Sequence, residues 1–139
     1  MTGVQGVDHI AVAVEDLDAA TALWRDRFGL EVGPREEIPD QGVEVQVMFA
    51  GPVRIELMRP LGPDSPVARF LEKKGPGIHH LALAVDDCGS AREAALADGG
   101  RPAGEGPVPG EGGTKVAFLH PASAGGVLVE WVERTPEDS

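Results

Sequence analysis

Two stretches of the chain alternate apolar residues with polar or small ones in nearly the same lettering. The first is Val7-Asp8-His9-Ile10-Ala11-Val12-Ala13-Val14-Glu15-Asp16, and the second is Ile78-His79-His80-Leu81-Ala82-Leu83-Ala84-Val85-Asp86-Asp87. His9 matches His80 and Asp16 matches Asp87, an offset of 71 in a chain of 139 residues. A period of two is a strand signal, because successive side chains leave a strand on opposite faces. His9, Ala11 and Ala13 therefore share one face, with Ile10, Val12 and Val14 on the other. A long period that occurs twice predicts a duplicated module rather than a solenoid of many repeats.

The elements of the first half follow from the same reading. Residues 7–14 form a strand, and Glu15 to Asp18 supply cap and first-turn carboxylates for a helix over about 16–28. Leu17, Ala20, Leu23, Trp24 and Phe28 give that helix an apolar stripe, and Gly29 ends it. A short strand broken by Pro34 is expected over 30–38, then a turn at Asp40-Gln41-Gly42. Val43 to Ala50 alternates again, Gly51-Pro52 turns the chain, and Val53 to Met58 is a further strand. Ser65-Pro66 opens a short helix that ends at Lys73-Lys74-Gly75 and joins the halves.

The second half retraces the first. Residues 78–85 form a strand and 86–98 a helix. Residues 101–113 read mostly as turns with at most one short strand. Lys115 to Leu119 and Val127 to Val132 are strands, with a loop from His120 to Gly126 between them. The tail after Glu133 reads as frayed and acidic. Each half is β-α-β-β-β, so the expected architecture is an α+β single domain over 1–139. It is built from two modules, about 5–60 and 76–133, with a linker over 61–75.

Composition narrows the function. Apolar residues make up 42% and charged residues 25%, which suits a folded core and argues against disorder. The net charge of −11 argues against nucleic acid or an anionic membrane as a partner. No charged-then-apolar leader pattern opens the chain and no apolar run reaches spanning length, so a cytoplasmic protein is expected. The single cysteine, Cys88, excludes an intramolecular disulfide and reads as a small filler rather than a nucleophile. Arg69, Lys73 and Lys74 form a basic cluster, either a local phosphate contact or a helix end that complements the dipole.

A second correspondence carries the chemistry. Arg54-Ile55-Glu56-Leu57 matches Leu128-Val129-Glu130-Trp131 at an offset of 74, which a three-residue loop insertion reconciles with 71. Each half thus has one His on its first strand and one Glu on its last. His9, Glu56, His80 and Glu130 make a donor set suited to a borderline divalent ion, and four protein ligands leave positions open for a substrate. A lone strand His is more often structural, and a lone Glu in an apolar strand is often a rim residue. The twofold recurrence favours the metal reading, since a buried charge is costly unless paired or metal-bound. His79 has no counterpart in the first half, so His80 is preferred. His120 has no repeat partner and is assigned to substrate contact or to capping a turn.

A duplicated βαβββ unit with His, Glu, His, Glu in this order resembles the vicinal oxygen chelate superfamily. This group includes glyoxalase I, extradiol dioxygenases and antibiotic-resistance proteins. The finer resemblance is to the methylmalonyl-CoA epimerase family. It is carried by Asp8 to Val14, Glu56 to Leu61, Asp64 to Gly75, Gly77 to His80, Lys115 to Pro121 and Gly125 to Glu130. The middle segment and Phe118-Leu119-His120-Pro121 are more specific than the four ligands.

The resemblance implies a barrel-like metal-binding cleft. It implies one divalent ion, Co2+ by family habit with Zn2+, Mn2+ or Ni2+ possible, on His9, Glu56, His80 and Glu130. The implied reaction interconverts (R)- and (S)-methylmalonyl-CoA through C2 proton abstraction and return by way of a metal-stabilised enolate. An acyl-CoA substrate and a homodimer are implied with it. Glu130 is the candidate proton-transfer residue, and Lys115 and His120 are candidate substrate contacts. The second base is open. Val45 stands where a relative has Glu, and Glu44, water or another group could serve. A glyoxalase I-type lactoylglutathione lyase and a metal-free small-molecule binding protein of the same fold are the competing readings.

Overall fold

In a computed structural model of the chain, residues 3–134 are described. The chain divides into two compact units, one of His9–His79 and one of the residues up to Asp8 together with those from His80 onward. The boundaries thus fall inside the first strand and within the strand that opens the second repeat.

The first repeat contains β1 (Val4–Ala13), α1 (Leu17–Phe28), β2 (Glu31–Ile38), β3 (Val43–Ala50) and β4 (Val53–Pro60). The Asp16 carboxylate caps α1 by accepting from the Ala19 N–H. Gly29 ends the helix at φ 75°, a left-handed conformation that a side chain would strain. Pro34 does not end β2 but bulges it, and the register with β3 shifts between Val32 and Arg35. β3 and β4 form an antiparallel hairpin with unbroken register from Val43↔Pro60 to Ala50↔Val53. β1 lies parallel to β4, with Ala11 opposite Glu56. The strands of this unit run in the order β2-β3-β4-β1.

This sheet has two covered faces. Val12, Val14, Met48 and Leu57 pack with Leu17 of α1 on one of them. Ala11, Ala13, Val43, Val45, Val47 and Met58 occupy the other. There they meet α2 (Pro66–Lys74), which contributes Val67, Phe70 and Leu71. Ser65 caps α2 from its side-chain oxygen and Pro66 fills the first turn, as the sequence predicts.

The second repeat contains β5 (Gly77–Val85), α3 (Cys88–Ala97), β6 (Pro102–Pro109), β7 (Lys115–Leu119) and β8 (Val129–Glu133). Asp87 caps α3 by accepting from Ser90 N–H, the counterpart of Asp16. The strands run β5-β8-β7-β6, with β5 parallel to β8 and Ala82 opposite Glu130. Val85, Cys88, Ala91, Ala117, Leu119 and Trp131 form the helix-side core. Ala82, Val116 and Val132, with Val108 and Phe118, form the opposite face.

Two differences from the sequence reading are physical. Residues 102–109 are a full strand despite their glycines and prolines, because β7 offers a pairing edge. The ladder breaks between Ala103 and Val108, where the glycines and Pro107 fall. The last strand starts at Val129 rather than Val127, after a 3-10 turn at Pro121–Ser123. The acidic tail beyond Arg134 lies outside the described residues.

Candidate metal and substrate site

In the first-repeat unit, His9 and Glu56 stand on adjacent parallel strands. Their register brings His9 Nδ1 within 3.2 Å of Glu56 Oε2, with both side chains 5% exposed. The face they share is apolar, lined by Ala11, Val45, Val47 and Met58. In the other unit, His80 Nε2 lies 2.9 Å from Glu130 Oε1, with both side chains 4% exposed. Phe118, directly across from Glu130 on β7, sets its ring edge-on to His80 at 5.4 Å between centroids. Each unit thus builds one buried imidazole–carboxylate pair from the same two positions of the repeat.

The donor set fits a divalent ion. Imidazole nitrogen and carboxylate oxygen are ligand types that zinc, cobalt, nickel and manganese accept. Burying a carboxylate beside aliphatic side chains costs free energy unless a proton donor or a cation answers it. His80 answers Glu130 through a hydrogen bond, His9 stands at ion-pair distance from Glu56, and a cation can answer a carboxylate in the same way.

The remaining candidates separate by strand alternation. Val45 shares the Glu56 face and is buried in the apolar layer with Val43 and Val47. Glu44 points to the opposite, α1-side face. There Arg59 Nε donates to its Oε1 at 2.9 Å. The unbroken β3–β4 register leaves no bulge that could turn Glu44 round. Gln46 is buried on that same α1-side face. It accepts from Arg35 Nε at 2.8 Å and donates to the carbonyl of Gly33 at 2.8 Å.

Lys115 is exposed at the start of β7, on the face of Ala117 and Leu119 that packs on α3. Its charge helps hold the Asp87 carboxyl below its usual range, after the hydrogen bonds from Ser90. The strand therefore places Lys115 on the face of β7 opposite to His80 and Glu130. His79 is half-buried and packs edge-on against Phe70 at 5.0 Å, while His80 is the buried member of the two. His120 ends β7 and caps the 3-10 turn, its Nδ1 accepting from Ala122 N–H at 3.0 Å. Arg69, Lys73 and Lys74 are exposed along α2 and its end, with Lys74 Nζ 5.7 Å from the Phe70 ring centroid.

Cys88 is fully buried at the start of α3, and its thiol is pushed up to about 11 by burial first and then by Glu133. It behaves as filler, as expected from the sequence. Asp8 escaped the sequence reading. Its carboxylate accepts two hydrogen bonds from Arg134, at 2.8 and 3.0 Å, and Glu111 lies 3.8 Å from the same guanidinium. No spacing signal joins residues 8, 111 and 134, so only the fold reveals this cluster.

Residues 8–118 match the model of the Glyoxalase/Bleomycin resistance protein/Dioxygenase superfamily. The chain is 44% identical over 126 residues to the ethylmalonyl-CoA/methylmalonyl-CoA epimerase of Cereibacter sphaeroides, covering 89% of this chain and 94% of that one. The crystal structure of methylmalonyl-CoA epimerase from Mycobacterium tuberculosis superposes with a TM-score of 0.90 at 37% identity, covering 96% of this chain and 91% of the other. A variant of the Streptomyces coelicolor methylmalonyl-CoA epimerase, in complex with 2-nitronate-propionyl-CoA, gives 0.89 at 32% identity over 96% and 99% of the two chains. The architecture is the vicinal oxygen chelate fold of this superfamily. A repeated His–Glu arrangement on paired parallel strands, with likeness along nearly the whole chain, shows that the protein belongs to the methylmalonyl-CoA epimerase family.

Proposed function

We propose that the protein interconverts the C2 epimers of methylmalonyl-CoA, with one divalent ion held by His9, Glu56, His80 and Glu130. The observation that carries this reading is the pair of buried His–Glu contacts at equivalent repeat positions, in a chain so similar to epimerases of known name. Cobalt is the ion favoured by the family resemblance, and the nitrogen–oxygen donor set also accepts zinc, manganese or nickel. Such an ion would supply Lewis-acid charge where negative charge develops on the thioester oxygen as the C2–H bond breaks.

The chain's own residues do the rest. The Glu130 carboxylate takes the C2 proton on one face and returns it. Each pair is flanked by apolar side chains of its own unit, Val45, Val47 and Met58 beside His9–Glu56 and Ala82, Val116 and Val132 beside His80–Glu130. Epimerisation needs proton delivery on the opposite face as well. On β3 the His9–Glu56 face carries Val43, Val45, Val47 and Phe49, none of which holds a transferable proton, and Glu44 points away. Proton return there falls to water or to a group outside β3. The family resemblance further supports a cytoplasmic homodimer. Among the described residues no helix is long and apolar enough to cross a membrane.

The test is C2 exchange in D2O. The cobalt-loaded protein should incorporate deuterium at C2 of (S)-methylmalonyl-CoA and racemise it. Chelation should stop both, and Glu130→Gln should lower the rate by about 100-fold or more. Metal-loaded protein that gives no deuterium entry would sink the epimerase reading, and lyase activity on a glutathione hemithioacetal would then take its place.

A further inference from the structure

His120 has its two ring nitrogens in different situations. Nδ1 accepts a hydrogen bond from Ala122 N–H at 3.0 Å. A backbone N–H can only donate, so Nδ1 must be unprotonated and a neutral ring carries its proton on Nε2. The loop holds the residue firmly. His120 N–H donates to the Arg101 carbonyl at 2.9 Å, and its own carbonyl accepts from Ser123 N–H at 2.9 Å. Ser123 Oγ in turn accepts from Arg101 N–H at 2.8 Å. Nε2 carries no hydrogen bond to the described protein.

The strand aims the side chain. Val116 and Phe118 belong to the His80–Glu130 face of β7, and Ala117 and Leu119 to the α3 face. His120 continues the extended backbone, with φ −60° and ψ 140°. It therefore falls on the face of Phe118, whose ring touches His80 and whose Cα partner is Glu130. A half-buried imidazole with one nitrogen fixed by its loop and the other open sits at the strand end next to the candidate site.

We propose that His120 is a neutral donor, locked as the Nε2–H tautomer by its loop, that hydrogen-bonds a carboxylate oxygen of the acyl group and transfers no proton to or from C2. This rests on the acyl-CoA reading above and names the part of the substrate that His120 recognises. A neutral Nε2–H ring has no free lone pair facing the site, so it cannot take up a proton there. What it offers is one oriented donor. A hydrogen bond to an ionised acceptor is roughly twice as strong as one to a neutral acceptor, so the carboxylate is its best partner in the acyl head.

Two measurements test this. A long-range 1H–15N spectrum of protein labelled at histidine, assigned by the resonance lost in His120→Asn, should show a protonated Nε2 and an unprotonated Nδ1 at neutral pH. A protonated Nδ1 would overturn the lock. The second measurement uses His120→Asn itself, because Asn keeps the cap through its side-chain oxygen but places no donor at the position of Nε2. Its melting temperature should match that of the parent chain. Its dissociation constant for methylmalonyl-CoA, by calorimetry, should rise on the order of tenfold or more. Binding of propionyl-CoA, which lacks the carboxylate, should not change. Three outcomes would overturn the proposal: unchanged binding of both ligands, equal weakening of both, or a lower exchange rate at saturating substrate with KM unaltered. Selective loss of methylmalonyl-CoA binding in a protein that shows no C2 exchange would uphold His120 while sinking the epimerase reading.

Discussion

Glu130 stands opposite Ala82 across β8 and β5, two residues beyond His80, and Glu56 stands opposite Ala11 in the same relation to His9. The parallel register that follows each helix is therefore the same in both repeats. This equivalence places a carboxylate beside an imidazole in each unit. A one-residue slip in either ladder would send the Glu to the helix-side face and bury a charge among core side chains. The site and the strand register are thus one property of the fold.

Glu44→Gln should leave turnover unchanged. Glu44 is paired with Arg59 on the α1-side face, and this ion pair is partly exposed. Its loss should cost less than about 1 kcal/mol of stability. Steady-state kinetics of C2 exchange and a denaturant titration check both halves of the expectation. A fall in kcat of about 100-fold would instead assign proton transfer to Glu44.

Gln46→Leu should lower stability but not saturating activity. The Gln46 amide donates to the carbonyls of Gly33, Pro34 and Val47, and its oxygen holds Arg35. Arg35 continues to Asp18 of α1 at 2.7 Å, so one buried amide ties the bulged edge strand to the helix. Leaving those carbonyls unanswered should cost about 1–3 kcal/mol. Thermal unfolding followed by circular dichroism reads the loss, and kcat for C2 exchange should stay at the parent value.

Cys88 makes stability fall at high pH. Its thiol pKa is raised from 9.0 to about 11 by burial, with Glu133 adding to the effect. Below 9.0 the thiol is protonated in both states and the folded chain keeps its full stability. As pH climbs from 9.0 towards about 11 the unfolded chain ionises first, and stability declines. The sequence has no tyrosine to confuse that window. Cys88→Ala should remove part of the slope in denaturant titrations across it. In the native protein at neutral pH, iodoacetamide should leave Cys88 unmodified, whereas in denaturant it should label the residue.

Much of this structure was legible because the signals are local. Asp16, Ser65 and Asp87 each cap a helix where the sequence places a start, and each is worth about 1 kcal/mol. The alternation of Val43 to Ala50 and of Lys115 to Leu119 marks both strands to the residue. The repeat itself points to His9, Glu56, His80 and Glu130 without any coordinates. The misreadings all depend on distant partners. Residues 102–109 contain too much Gly and Pro to be read as a strand, yet they pair with β7. The face that Lys115 takes likewise depends on a distant partner, since its register with Glu133 sets it on the α3 side.

The sequence alone determined the duplicated β-α-β-β-β order, the helix caps and the identity of the four ligand candidates. Alternation and capping act through residues only a few positions apart, so one strand or turn is enough to reveal them. The tertiary structure decided which strands run parallel, which face each side chain takes, and that α2 covers the His9–Glu56 face of its own unit. It also decided that Glu44 is tied to Arg59, and which nitrogen of His120 is left open. These outcomes rest on hydrogen bonds and apolar contacts between segments tens of residues apart, and no local pattern encodes the register in which such segments meet.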